Sequence, residues 1–290
     1  MDSAVIDLLS TQQDPCTSKT YERSVRRILR IHKMRPYKVS LLQDLSDDDL
    51  STTKWLPSCE RDDPQLDECL RNVLANIFPQ LAVGIPEINV EGFEPLYLDR
   101  MTLSKVAGPV TLTGSFSNIT VVGPSNSTPT YTRMNIRDRK MDLGIYFPHL
   151  DIVSKYDLKG KILILPLVGN GDCKMTLGGV NTMITTNISF VLREGKEILK
   201  IHDMHTRYTM KNIKVQLSNL FNGNKLLGVT VNRFLNDHGI EIVQELEETI
   251  GESLSEIFLD ITNNLFWKLP TELWLPDRST KPLNNEEKRK

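Results

Sequence analysis

IEIVQELEETIGESLSEIFLDITNNL, residues 240 to 265, decides the architecture. Its apolar residues Ile240, Val243, Leu246, Ile250, Leu254, Ile257, Ile261 and Leu265 step by three or four positions. That spacing predicts one amphipathic helix, about 40 Å long, with a single apolar stripe. Pro270 and Pro276 are placed to end it. A helix of this length with one greasy side must be laid against something of matching extent.

The matching surface lies immediately upstream. From about residue 96 to 232 the pattern is strand after strand. Ile213, Val215 and Leu217 alternate with Lys214, Gln216 and Ser218, while Ile184, Ile188, Phe190 and Leu192 share one phase and Thr185, Asn187 and Ser189 the other. This is the period of half-buried antiparallel strands. Glycines at 169 to 171, 178 to 179, 195 and 223 are expected to mark turns between them. Further upstream, Asp63 and Pro64 suit a helix start, and Leu66, Leu70, Val73, Leu74, Ile77 and Leu81 recur at helical spacing until Gly84 and Pro86.

Residues 1 to 50 read differently. Lys19, Arg23, Arg26, Arg27, Arg30, Lys33, Arg35 and Lys38 make a basic stretch with a short apolar stripe, followed by an acidic run from Asp44 to Asp49. It suits either a solvated helix with a charged linker or a nucleic-acid-binding fragment through residues 19–38. SVRRILRIHKMRPYKVSLLQDLSDDD, residues 24 to 49, resembles the helix-turn-helix region of insect transposon-derived proteins. One helix and a partial turn cannot bury their own apolar face, so residues 1–50 are expected to be a foreign, poorly ordered extension. Residues 51–277 form the main domain, and the polar residues 278–290 a disordered tail.

The 290 residues give ample length for a sizeable core, and 35 basic against 37 acidic side chains leave a net charge of −2. The chain as a whole therefore has no electrostatic reason to seek nucleic acid or an anionic membrane. No stretch approaches a membrane span. The first residues lack the basic start and unbroken apolar run of a secretory signal. Read literally, they predict a cytosolic chain.

Catalytic constellations fail one by one. His202 and His205 form an H-x-x-H pair, but within a strand pattern that spacing sends them to opposite faces, so no metal site is expected. There is no G-x-S-x-G elbow, and the glycines around Cys173 follow no dinucleotide fingerprint. No cofactor is expected. What remains is geometric. A curled sheet wrapped lengthwise round a helix is hard to fill, and an apolar gap stays dry and prefers an apolar guest, each buried CH₂ contributing roughly 0.8 kcal/mol. By phase, the candidates to line such a space are Leu70, Val73, Ile184, Ile188, Phe190, Val215, Leu217, Ile250, Leu254 and Phe258. The alternative is an inert domain whose tube is filled by its own side chains.

Five phrases in order add a family resemblance. LPSCERDDPQLDECL (56–70), GIPEINVEGFEPLYLDRM (84–101), YDLKGKILILPLVGNGDCKMTLGGV (156–180), LSNLFNGNKLLGVTVNRFLND (217–237) and LPTELWLP (269–276) resemble the takeout and juvenile-hormone-binding proteins of insects, within the tubular lipid-binding superfamily. The resemblance implies an α+β fold: a long C-terminal helix wrapped by a highly curved antiparallel β-sheet, with a short N-terminal helix. It implies a non-enzymatic, monomeric carrier of a small hydrophobic ligand such as a terpenoid, a juvenile-hormone-like molecule or a fatty acid. It also implies secretion and a Cys59–Cys69 disulfide. The takeout branch is linked to circadian and feeding physiology and to chemosensation. Juvenile-hormone binders carry a second disulfide, whereas Cys173 here has no partner except Cys16, which favours the takeout side. Sequons at Asn118, Asn126 and Asn187 agree with secretion, Asn118 and Asn187 being out of phase with their apolar neighbours.

Overall fold

The structure, a computed structural model, describes residues 56–85 and 90–277, all within one compact unit. The expectations for residues 1–50, including Cys16 and the basic stretch, and for residues 278–290 lie outside the described residues. The chain begins with α1 (Leu66–Val83), then a small pair of strands, β1 (Gly84–Ile85) and β2 (Val90–Glu91). Seven strands follow: β3 (Leu96–Lys105), β4 (Val110–Val122), β5 (Thr128–Asn135), β6 (Lys140–Ile162), β7 (Leu165–Arg193), β8 (Lys196–Thr209) and β9 (Asn212–Leu217). The C-terminal part is helical: α2 (Lys225–Asp237), α3 (Gly239–Glu245), α4 (Glu247–Phe266) and the single turn α5 (Thr271–Trp274).

All seven strands form one antiparallel sheet in the order β3-β4-β6-β7-β8, with β5 added to β6 and β9 to β7. The 29-residue β7 is its spine. Its first half pairs β9 through Cys173 to Gly178, and its second half pairs β8 through Asn181 to Arg193. Here the glycine reading needs correction. Gly169, Gly171, Gly178 and Gly179 lie inside β7 and turn nothing. They permit close approach instead: a Cβ on Gly169 would stand 2.6 Å from the Tyr156 hydroxyl, and Gly179, at φ +61, is where β7 changes partner from β9 to β8. Gly195 does sit in a tight hairpin turn, with Glu194 and Gly195 both at positive φ.

The helical stripe also needs correction. The expected single helix over 240–265 begins earlier, at Lys225, and is broken at His238 (φ −120°, ψ 22°) and Leu246 (φ −96°, ψ 0°). Backbone hydrogen bonds bridge both breaks, among them Ile242 N–H to His238 and Ile250 N–H to Leu246, each near 3 Å. The bends let one run cover two targets: α2 packs on β9, while α4 packs on β8 and β3. Three-or-four spacing persists across a bend, so periodicity cannot reveal it. The N-terminal helix starts slightly later than expected, at Leu66, with the Asp63 carboxylate accepting from Gln65 N–H at 2.8 Å.

The sheet's edges are finished by helix side chains. On α2, Asn232 accepts from Leu217 N–H (2.8 Å) and donates to Leu217 C=O (2.9 Å), and Asn236 does the same to Val215 (2.9 and 2.7 Å). On α4, Asn263 makes the matching pair with Ile201 of β8, both at 2.9 Å. On α1, Asp67 accepts from Met134 N–H of β5 at 2.9 Å. Each amide reproduces the donor-acceptor pair a neighbouring strand would offer, which covers edges that would otherwise template association.

α4 also rolls the sheet shut. Ser253 donates to Thr102 C=O on β3, and Ser255, two residues on, accepts from Thr206 N–H on β8, both at 2.8 Å. β3 and β8 are opposite ends of the strand order. In register, Thr102 stands level with Asn170 of β7, and Thr206 with Ile184, positions 14 residues apart. Closure thus joins edges strongly staggered along the strands, as a tilted, tube-like roll requires.

The two chain ends described here meet at one end of the roll. Cys59 and Cys69 are joined in a disulfide. Cys59 N–H donates to Trp274 C=O at 2.9 Å, and the Arg61 guanidinium reaches Glu197, Thr271 and the Leu275 carbonyl, with its charge 4.5 Å above the Phe190 ring. Burial alone would raise the Glu197 carboxyl, but hydrogen bonds from Arg61 and Thr271 outweigh it and hold the pKa below the usual range. A depressed folded pKa contributes stability above the unfolded pKa and loses it as pH falls through the folded value. Wild-type stability in denaturant titrations should therefore fall as pH drops through the carboxylate range, and Glu197→Gln should be less stable than wild type at neutral pH while showing a flatter acid limb.

Candidate ligand-binding site

The roll holds two apolar clusters. One gathers Leu70, Val73, Ile184, Ile188, Leu199, Ile201 and Trp274, with Phe190 and Phe258 against it. The other gathers Leu112, Tyr156, Leu217, Val231, Leu235 and Leu246, with Val215 and Ile250 against it. Nine of the ten phase-chosen candidates therefore fall into two groups, six in the first and three in the second. Leu254 is half-buried on α4 and joins neither. None of the ten lines the roughly 790 Å³ depression, whose walls mix the charged Arg61, Asp63, Asp67, Arg133 and Asp277 with the apolar Leu66, Met134 and Ile136.

Between α4 and the sheet, β7 and β8 present an inward face of mixed character. Thr182, Ile184, Thr186 and Ile188 of β7 are buried, and Met204, Thr206 and Tyr208 of β8 stand beside them, with Thr182 opposite Tyr208 and Ile184 opposite Thr206. Thr186 donates its hydroxyl to Met141 C=O at 3.0 Å. The Thr206 and Tyr208 hydroxyls, by contrast, are buried without a hydrogen-bond partner among the described residues. Tyr208 lines a cavity of about 20 Å³ closed by Ile240, Val243 and Gln244 of α3, enough for one water-sized group. Burial and the nearby negative charge of Glu247 push its pKa well up, so the phenol stays neutral and free to donate. Sequence reasoning singled out neither residue. The available signal was Met204, Thr206 and Tyr208 sharing one strand phase, which puts a polar pair on an apolar side.

His202 and His205 are both exposed, not on opposite faces. Asn187 pairs Asp203 and Ile188 pairs Ile201, so His202 is an extra, bulged residue that resets the alternation. The His202 ring bonds Ser189 Oγ at 2.7 Å, and among the described residues no group of three or more His, Cys, Asp or Glu could hold a metal. Among the described residues Cys173 is unpaired; it is fully buried, and desolvation pushes its thiol up to about 11. A thiol held protonated is a poor nucleophile. In a Cys16→Ser background, Cys173 should resist a thiol-disulfide reagent until the protein unfolds; fast labelling of the native state would contradict that. Asn118, Asn126 and Asn187 are all exposed, though the Asn187 amide donates to both Asp203 carboxylate oxygens at 2.9 Å.

Against this geometry, known proteins give a consistent answer. Residues 39–276 match the haemolymph juvenile hormone binding protein family. The chain belongs to that family. Its relatives include the circadian clock-controlled protein daywake of Drosophila melanogaster, 29% identical over 214 residues, 71% of this chain and 82% of that protein. Daywake of Drosophila yakuba is 28% identical over the same shares. The crystal structure of takeout 1 from Epiphyas postvittana matches with a TM-score of 0.65 at 21% identity, covering 75% of this chain and 98% of that one. The fold is thus the expected one, a curved antiparallel sheet with C-terminal helices. Family members bind small hydrophobic ligands and are not enzymes.

Proposed function

We propose that this protein is an extracellular, monomeric carrier of one neutral, oxygen-bearing apolar molecule, such as a terpenoid ester, ketone or alcohol. The carrying observation is the pair of buried, unpartnered hydroxyls of Thr206 and Tyr208 beside apolar walls. A buried hydroxyl without a partner costs on the order of 1–3 kcal/mol, which a ligand oxygen would recover. A carboxylate is the poorer guest, because the charge that Tyr208 senses is the anionic Glu247 and no cation lines its cavity. In this reading the ligand tail lies in a tunnel past Ile184, Ile188, Phe190 and Phe258, and the second candidate group serves a longer ligand.

Secretion is supported by the family, by the Cys59–Cys69 bond and by the exposure of Asn118 and Asn126. The covered sheet edges favour a monomer. The daywake relatives are clock-controlled, and cycling of this protein's transcript over a day would extend that to it. The binding test is native mass spectrometry of protein from an insect secretory host. Neutral terpenoids should be taken up, and Tyr208→Phe should weaken an oxygenated ligand by roughly threefold to tenfold while leaving its hydrocarbon analogue unchanged. Empty protein that accepts no terpenoid or fatty acid would sink the carrier reading.

A further inference from the structure

The β6–β7 hairpin closes with two residues, Leu163 and Ile164, between the paired Ile162 and Leu165. Two-residue hairpin loops favour Asn-Gly or Asp-Gly, because the central residues need positive φ. Leu163 does adopt φ +54 without being glycine or asparagine, a strained choice. Both side chains point away from the fold, Leu163 being 51% and Ile164 88% exposed. At the far end of the same strand, the β7–β8 hairpin uses the ordinary solution, Glu194-Gly195. Bulky apolar residues that strain a turn and leave half or more of their surface in solvent contribute little to folding.

The neighbouring hairpin repeats the pattern. The β3–β4 turn carries Val106, 80% exposed, and is held beside the first by Leu163 N–H donating to Pro109 C=O at 2.7 Å. Val168, also exposed, lies just inside β7. Charge around this tip is one-sided. Residues 103–112 and 158–171 contain Lys105, Lys159 and Lys161 and no carboxylate, and with Lys105 answered by the Glu245 carboxylate of α3 at 3.9 Å the surplus rests on Lys159 and Lys161. Lys159 and Lys161 flank the tip on the exposed face of β6, opposite Thr113 and Thr111. The net charge of −2 conceals this local surplus.

We infer that the paired tips of the β3–β4 and β6–β7 hairpins are a membrane-docking surface, inserting Val106, Leu163 and Ile164 into the interface of an anionic bilayer while Lys159 and Lys161 engage its headgroups. Apolar insertion flanked by lysines is the pattern of reversible interfacial binding. A protein receptor would ask for a flat or concave patch with hydrogen-bonding groups, which two protruding aliphatic tips do not provide. The inference does not depend on what the interior carries.

The test is flotation of the full-length protein with phosphatidylcholine vesicles, with and without phosphatidylserine. Wild type should float with the anionic vesicles and do so less at high salt. Leu163→Asn with Ile164→Gly installs a favoured turn, so folding is preserved while binding should fall about tenfold or more. Lys159→Gln with Lys161→Gln should weaken anionic binding by roughly fivefold per lysine at low salt. Wild type that stays with the soluble fraction, or an Asn-Gly variant that floats as well as wild type, overturns the inference; the latter would locate membrane binding elsewhere, for instance in the basic residues 19–38.

Discussion

Replacing Gly251 by valine should lower the unfolding free energy by about 3 kcal/mol, the upper end of what overpacking a close contact costs. Gly251 is buried on α4 where the helix crosses β8, and any Cβ there would run into the Thr206 carbonyl. That carbonyl belongs to the residue whose N–H is held by Ser255, so the helix cannot shift without giving up its hold on the strand. Gly251→Ala separates the causes. In an open helix alanine gains about 1 kcal/mol over glycine, so a destabilised alanine variant in chemical denaturation reports contact, not propensity. Alanine and valine variants as stable as wild type would mean that α4 does not approach β8 this closely.

Asn263→Leu is the second large expectation, a loss of about 2–4 kcal/mol, with Asn232→Leu close to it. Leucine matches asparagine in size and suits a helix, so the change is chemical. Ile201, itself buried, would keep an N–H and C=O with nothing to meet them. Asn263→Asp refines the test. The ionised carboxylate accepts from Ile201 N–H but opposes its C=O, which raises its pKa in the folded state. A raised carboxyl pKa makes folding more favourable at acid pH and less so once pH climbs past the folded value. Asn263→Asp should therefore be less impaired near pH 4 than at pH 7 in denaturant titrations. Equal losses at both would sink the two-way hydrogen bond.

Much of the fold was legible because most of it is periodic. The helical spacing through Leu66, Leu70 and Val73 and the alternation from Ile213 to Leu217 both match the structure. What failed was reading interruptions. Glycines at 169 and 179 look like turns, yet one marks a close approach and the other a change of strand partner. A bulged His202 shifted the phase of β8 by one, which no alternation template anticipates. For the site, phase told which way side chains point, and all ten candidates are buried or half-buried. It could not tell where along the sheet each one lies: Leu217 of β9 pairs Cys173 in the first half of β7 and Ile184 lies in the second half, so the two were grouped although they belong to different clusters. Thr206 and Tyr208 escaped because polar residues in strands are read as outward-facing.

The double grip of α4 dictates an order of events during biosynthesis. Residues 102 and 206 are joined through residues 253 and 255, which leave the ribosome after every strand of the sheet. Until then β3 and β8 are raw margins of an unfurled sheet, open to pairing with other nascent chains. Fastening the seam is a late, long-range step, and a polypeptide cut short before Glu247 would be born without its clasp.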